Sequence, residues 1–133
     1  MGIRLYTEVG DKMKKWAALL FVFLFIISGC AQGGYTNISV DEAAQMIQKG
    51  DVVVLDVRTE EEYTSGHIPG AMLLPVQQLK ERINELKKDE TYIVVCRSGN
   101  RSAQASELLV KEGFTNVYNM TGGMNEWNGD VEK

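Results

Sequence analysis

Histidine occurs once in these 133 residues, and cysteine and proline twice each. A metal centre needs three or four nitrogen, sulfur or oxygen ligands in a set, and so few histidines and cysteines supply no workable one. Internal repeats and low-complexity stretches are absent as well. With 44% apolar and 24% charged residues the chain has an ordinary globular composition. Its length suffices for one compact domain and falls short of two. No apolar run is long enough to span a bilayer as a helix: residues 16–27 (WAALLFVFLFII) make only 12, against about 20 required.

What that run offers instead is a secretory signal. Lys12, Lys14 and Lys15 precede it and small residues follow it, the order of a positive region, an apolar region and a cleavage site. A core helix is the competing reading, but no polar face is set aside for solvent. Ile27-Ser28-Gly29-Cys30 resembles the lipobox of bacterial lipoproteins. The resemblance implies that residues 1–29 are removed and that Cys30 carries lipid on its sulfur, with several acyl chains giving durable anchoring. Met13-Lys14-Lys15 looks like the start of such a signal, which would make residues 1–12 an upstream extension. The expected location is outside the cytoplasm, on the outer face of the cytoplasmic membrane or facing a periplasm.

Processing would remove Arg4, Lys12, Lys14 and Lys15 with Glu8 and Asp11, taking the formal net charge from −4 to −6. An acidic domain is a poor partner for nucleic acid or for anionic lipid, so Cys30 is the expected route to the membrane. An exported protein with two cysteines would ordinarily pair them. With Cys30 as a thioether, Cys96 has no partner in the chain, and an unpaired exported thiol calls for a chemical explanation.

Residues 30–37 read as a lipidated tether, and 38–130 as the domain. Ser39 with Glu42, and Thr59 with Glu62, match capping boxes that open helices. Gly50 closes the first helix. Val52–Leu55 and Thr91–Val95 are continuous β-branched runs of buried-strand length. Met72–Leu74 and Val117-Tyr118 are shorter strands. Residues 76–87 place Val76, Leu79, Ile83 and Leu86 on one helical face, and Ser102–Glu112 forms a helix stopped by Gly113. Alternating strands and helices predict an α/β domain: a mainly parallel sheet of about five strands, flanked by helices on both faces. Sites in such sheets lie at the carboxyl ends of strands, where Asp56-Val57-Arg58 and Cys96 fall.

A thiol of ordinary pKa, near 8.5, is only a few per cent thiolate at pH 7. After Cys96 come Arg97 and Arg101 as cations, Ser98, Gly99 and Asn100 as a tight turn, and a helix N-terminus near Ser102 whose free amides face back. Such a loop can curl its N–H groups around sulfur as an anion nest. The plainer alternative, a buried structural cysteine, does not explain two arginines and a glycine within five positions.

Four blocks together resemble a single-domain rhodanese, a thiosulfate-type sulfurtransferase. They are Leu55-Asp56-Val57-Arg58; Glu62-Tyr63 with Gly66-His67-Ile68-Pro69-Gly70-Ala71; Cys96-Arg97-Ser98-Gly99-Asn100-Arg101-Ser102; and Thr121-Gly122-Gly123 with Trp127. They run in family order over about residues 36–128. The resemblance implies that Cys96 takes a sulfane sulfur from thiosulfate or from a persulfide or polysulfide donor and holds it as a persulfide. A thiol or a protein acceptor then collects it. Arg97 and Arg101 would position an anionic donor and steady the loop, and Asp56 and Arg58 would frame the pocket. Asp56 and Arg58 can equally pair with each other or cap the helix at Thr59. His67 reads as a structural part of its turn, and Trp127 as core. No cofactor and no metal are implied, nucleic acid is not expected as a partner, and the expected state is a monomer.

Two rival functions share the pattern. Phosphatases and arsenate reductases of related loop design need a cysteine and an arginine separated by five residues; Arg101 follows Cys96 after four, a cradle too short for phosphate or arsenate. A lipid-anchored, non-catalytic rhodanese-like module for binding or redox sensing is the other, and retention of Cys96 argues against it. Thiol–disulfide exchange lacks a second thiol to resolve a mixed disulfide.

Overall fold

The computed structural model describes residues 34–133; the signal-like segment, Cys30 and the first part of the tether lie outside the described residues. Five strands form one sheet: β1 (Thr36–Ile38), β2 (Val53–Asp56), β3 (Met72–Leu73), β4 (Thr91–Val95) and β5 (Asn116–Met120). Their spatial order is β1-β5-β4-β2-β3, and all four pairings are parallel. The helices are α1 (Val40–Lys49), α2 (Glu60–Ser65), α3 (Val76–Arg82), α4 (Asn100–Lys111) and α5 (Gly123–Glu126).

The β-branched run of β4 explains its place near the centre of the sheet, because both of its faces are buried. Tyr92 and Val94 join Leu55, Leu79, Leu109 and Val117 in one apolar layer, covered by α3 and α4. Ile93 and Val95 point the other way and join Val54, Ala43, Ile68 and Met120. That second layer is covered by α1 and by Tyr63 of α2. Helices therefore lie on both faces, as the alternation of elements predicts.

The strand order also locates a crevice. From β2 the chain passes through α2 to β3 on one side; from β4 it passes through α4 to β5 on the other. The connections leave adjacent strands in opposite directions and on opposite faces, which opens a gap above the carboxyl ends of β2 and β4. Asp56 ends β2 and Cys96 follows β4, so both sit at this gap.

Beyond shifts of one or two residues at the ends of β2, β3 and β5, four local expectations change. Thr36 and Asn37, read as tether, belong to β1 and pair with Tyr118 and Asn119 of β5. Asn37 Oδ1 accepts a 3.0 Å bond from Asn119 Nδ2, a polar tie that hydrophobic alternation cannot signal. The helix expected over 76–87 is α-helical only to Arg82, then tightens into a 3-10 turn at Ile83–Glu85. Ile83 and Leu86 still reach the core through that turn. The chain beyond residue 130 is tied to the domain, because the backbones of His67 and Glu132 exchange two bonds of 2.9 Å. Finally, α4 starts at Asn100 instead of Ser102, which brings its first turn against Cys96.

Candidate active site

Strand β4 delivers Cys96 to the crevice with no exposed surface, at 0% relative exposure. The chain then turns at Gly99, whose φ of 98° lies in the left-handed region that glycine occupies without penalty. This turn aims the Gly99 N–H at the sulfur, 3.0 Å from Cys96 Sγ. Ser102, on the first turn of α4, places its hydroxyl oxygen 3.3 Å from the same sulfur. Burial pushes the Cys96 thiol up, but the Ser102 hydroxyl and the amides of Ser102, Ser98 and Gly99 outweigh it and leave the thiol below its ordinary value. N–H and O–H donors favour the charged form. Gly99 N–H on the sulfur is the kind of contact that an anion nest is built from.

The loop's carbonyls are held from behind. Met124 N donates to Cys96 O at 2.9 Å and Asn125 N to Arg97 O at 3.0 Å. These bonds need close approach of two backbones, which explains the glycines. A Cβ on Gly99 would strike the Thr121 carbonyl, and one on Gly123 the carbonyls of Cys96 and Arg97. Thr121-Gly122-Gly123 thus forms the backing of the cysteine loop. With its carbonyls occupied there, the loop turns its N–H groups inward to the sulfur.

The candidate side chains divide into three groups. Arg97, Ser98 and Asn100 are exposed, and Arg97 has no ion-pair partner among the described residues. Arg101 does not stand free as a donor-binding cation. It forms two parallel bonds to Glu62, Nη1 to Oε2 at 2.7 Å and Nη2 to Oε1 at 2.8 Å. Arg58 and Asp56 make a buried fork: Nη2 lies 2.8 Å from Oδ2, and Nε lies 3.0 and 3.1 Å from the two carboxylate oxygens. Arg58 Nη2 also donates to Gly66 O at 2.8 Å, so the mutual pairing holds and ties β2 to the end of α2.

Glu62 is the residue that sequence reasoning underrated. It was legible as the third helical residue of a capping box, and it does accept from Thr59 N at 3.0 Å. Its second role crosses to the first turn of α4, 39 positions away, and no local spacing reveals such a pair. The bonds from Arg101, against a smaller upward push from burial and with help from the Thr59 amide and hydroxyl, bring the Glu62 carboxyl down to about 2.

Beside the loop lies a groove of about 310 Å³ lined by Arg58, Glu62, Ser65, Arg97, Met124 and Asn125. A larger hollow, about 390 Å³, lies between Thr59, Leu73, Pro75, Gln78 and Arg82. Cys96 lines neither, but the smaller groove is lined by Arg97, the next residue, and by Met124 and Asn125, whose amides hold the cysteine loop, so the chemistry points there. His67 lies outside both. Its ring stacks on Tyr63 with centroids 3.6 Å apart, and Nδ1 meets Tyr63 O at 2.8 Å. Nε2 lies 3.3 Å from a Glu132 oxygen. The histidine is occupied as a structural strut. No cluster of three potential metal ligands occurs among the described residues.

Comparison with known proteins agrees with this geometry. Residues 39–130 match the family model of the rhodanese-like domain. The thiosulfate sulfurtransferase GlpE of Pseudoalteromonas translucida is 36% identical over 93 residues, which is 70% of this chain and 89% of that protein. The Bacillus subtilis protein YrkF is 36% identical over 97 residues, 72% of this chain; the chain spans only about half of YrkF, 52%. Among solved structures, a rhodanese-like domain protein from Staphylococcus aureus superposes with a TM-score of 0.68 at 35% identity, covering 73% of this chain and 96% of that one.

Proposed function

Because the chain belongs to the rhodanese-like domain family, we propose that it is a sulfurtransferase working through a persulfide on Cys96. The sulfur comes from thiosulfate or from a persulfide or polysulfide donor, and leaves to a thiol or protein acceptor. The observation that carries this reading is the environment of one atom. Cys96 Sγ accepts from Gly99 N at 3.0 Å and sits 3.3 Å from the Ser102 hydroxyl. Donors so placed stabilise a thiolate before reaction and a terminal persulfide anion after it. Relatives named as thiosulfate sulfurtransferase and as sulfurtransferase support the same class.

The thiolate attacks the outer sulfur of the donor. A new S–S bond forms at Cys96, the old bond breaks, and the leaving group departs with its electron pair: sulfite from thiosulfate, a thiolate from a persulfide. A nucleophilic acceptor then takes the terminal sulfur and restores the thiolate. Cys96 is fully buried at rest, so the loop or its cover must shift by a small amount to admit the donor. The test is mass spectrometry after exposure to thiosulfate or polysulfide. One added sulfur on the peptide bearing Cys96, lost in Cys96→Ser, is expected; an unmodified thiol with no sulfite released contradicts the proposal.

The second part of the proposal concerns place. The basic and apolar run before Ile27-Ser28-Gly29-Cys30 supports export and lipid anchoring through Cys30. Labelling with a fatty-acid probe should mark the wild type and not Cys30→Ala, which should also keep its leader. Labelling of both, or of neither, contradicts the anchor.

A further inference from the structure

The three arginines around the cysteine loop differ in what their charge can reach. Arg58 is matched by Asp56 and Arg101 by Glu62, whereas Arg97 is exposed and unpaired among the described residues. Arg58, Glu62 and Arg97 line one groove. Three cations and two carboxylates leave the site with one uncompensated positive charge before the thiolate is counted.

We propose that Glu62 sets the charge class of the sulfur donor. By closing Arg101 into an ion pair it leaves a single free cation, and so favours monoanionic sulfane donors, thiosulfonates and organic persulfides, over dianionic thiosulfate. This deepens the sulfurtransferase reading and rests on it. Glu62 acts through Arg101 and is a positioning residue. Its two oxygens divide the work: Oε1 accepts from Arg101 Nη2 alone, while Oε2 accepts from Arg101 Nη1 and from Thr59 N. A glutamine keeps the capping box and removes the charge.

The chemistry balances for both donor classes without an added oxidant or reductant. From thiosulfate, Cys96 gains sulfur as its anionic persulfide and sulfite leaves with two negative charges. From methanethiosulfonate the same S–S bond forms and methanesulfinate leaves with one. The two donors offer the same sulfane sulfur and differ by one charge, so their ratio reads the site's charge preference.

The experiment compares full-length wild type with Glu62→Gln, using both donors and cyanide as acceptor. In Glu62→Gln the KM for thiosulfate should fall roughly threefold to tenfold, the effect of one unit charge at partly screened distance. The KM for methanethiosulfonate, which carries half the charge, should fall only by the square root of that factor, roughly twofold to threefold, and Glu62→Asp should keep the wild-type ratio. An unchanged ratio, or equal losses with both donors, overturns the proposal. A binding arm separates it from the parent reading: Cys96→Ser and Cys96→Ser with Glu62→Gln are titrated with thiosulfate. If the wild type moves no sulfur from any donor, the transfer reading fails. Tighter thiosulfate binding by the double variant still supports the role of Glu62, and equal binding refutes it.

Discussion

The Cys96 loop and the His67 turn are both tight bends containing glycine in the left-handed region, yet their polar atoms meet opposite fates. In the turn, His67 exchanges backbone bonds with Glu132, and its ring is stacked on Tyr63 and bonded to the Tyr63 carbonyl. Nothing on the imidazole remains free to take part in chemistry. In the loop the carbonyls of Cys96 and Arg97 are occupied by Met124 and Asn125, while the Gly99 N–H meets a sulfur that has no covalent or ionic partner among the described residues. Donors without a permanent acceptor charge are what a nucleophile requires. The only histidine of the chain is therefore a strut, and the buried thiol is the nucleophile of the proposed transfer.

Changes on the two sides of this comparison should separate cleanly. The largest effect on folding is expected where the β2 exit supports both bends. Asp56→Ala leaves the buried Arg58 guanidinium without its carboxylate, and should cost about 3–5 kcal/mol in urea unfolding. A loss well under 1 kcal/mol would mean that Arg58 finds water or another partner, and that the fork is incidental.

Gly99→Ala attacks the loop itself. A left-handed alanine costs about 1–2 kcal/mol, and its Cβ meets the Thr121 carbonyl. Stability should drop by at least that amount, and the thiol should lose its Gly99 N–H, seen as an upward move of the pH midpoint for alkylation. Ser102→Ala is milder and more specific. It removes one donor to the sulfur, so alkylation at pH 7 should slow about threefold to tenfold, with little change in unfolding. In the wild type the alkylation midpoint should lie below the free-cysteine value of about 8.5.

The smallest effect belongs to the strut. His67→Gln should cost about 1 kcal/mol of stability and leave sulfur transfer within about twofold, since the ring touches neither the loop nor the groove. A large loss of transfer in a stable His67→Gln protein would make the turn part of the site and erase the contrast.

Acid adds a separate reading of the loop's outer tie. Glu62 is held down to about 2 by Arg101, against an unfolded value of about 4.3. A depressed carboxyl stabilises the fold above its unfolded value and loses that contribution as pH falls through its folded one. Stability should therefore decline between about pH 4.3 and pH 2, and that decline should flatten in Glu62→Gln. Equal slopes for the two proteins would show the pair to be too screened to matter.

What the sequence disclosed followed from how local each cause is. The span of β4 was legible to the residue from its β-branched run, and Cys96 at its end from the charges and glycine that follow. Both capping boxes were legible because their partners lie three positions apart. Strand β1 was hidden because two of its three residues are polar and its order depends on β5, some 80 positions later. The start of α4 was misplaced by two residues because Gly99, in a left-handed conformation, takes the cap position without a side-chain bond. The Glu62–Arg101 pair was hidden for the same reason as β1: it exists only once α2 and α4 meet over the crevice.

The central claim, that Cys96 carries the transferred sulfur, is tested most directly by a single turnover without acceptor. Full-length protein mixed with excess thiosulfate should release one sulfite per Cys96 thiol lost, and the peptide bearing Cys96 should gain one sulfur that cyanide then removes as thiocyanate. Sulfite release from Cys96→Ser at the wild-type level, or a wild-type Cys96 that stays unmodified, would contradict it.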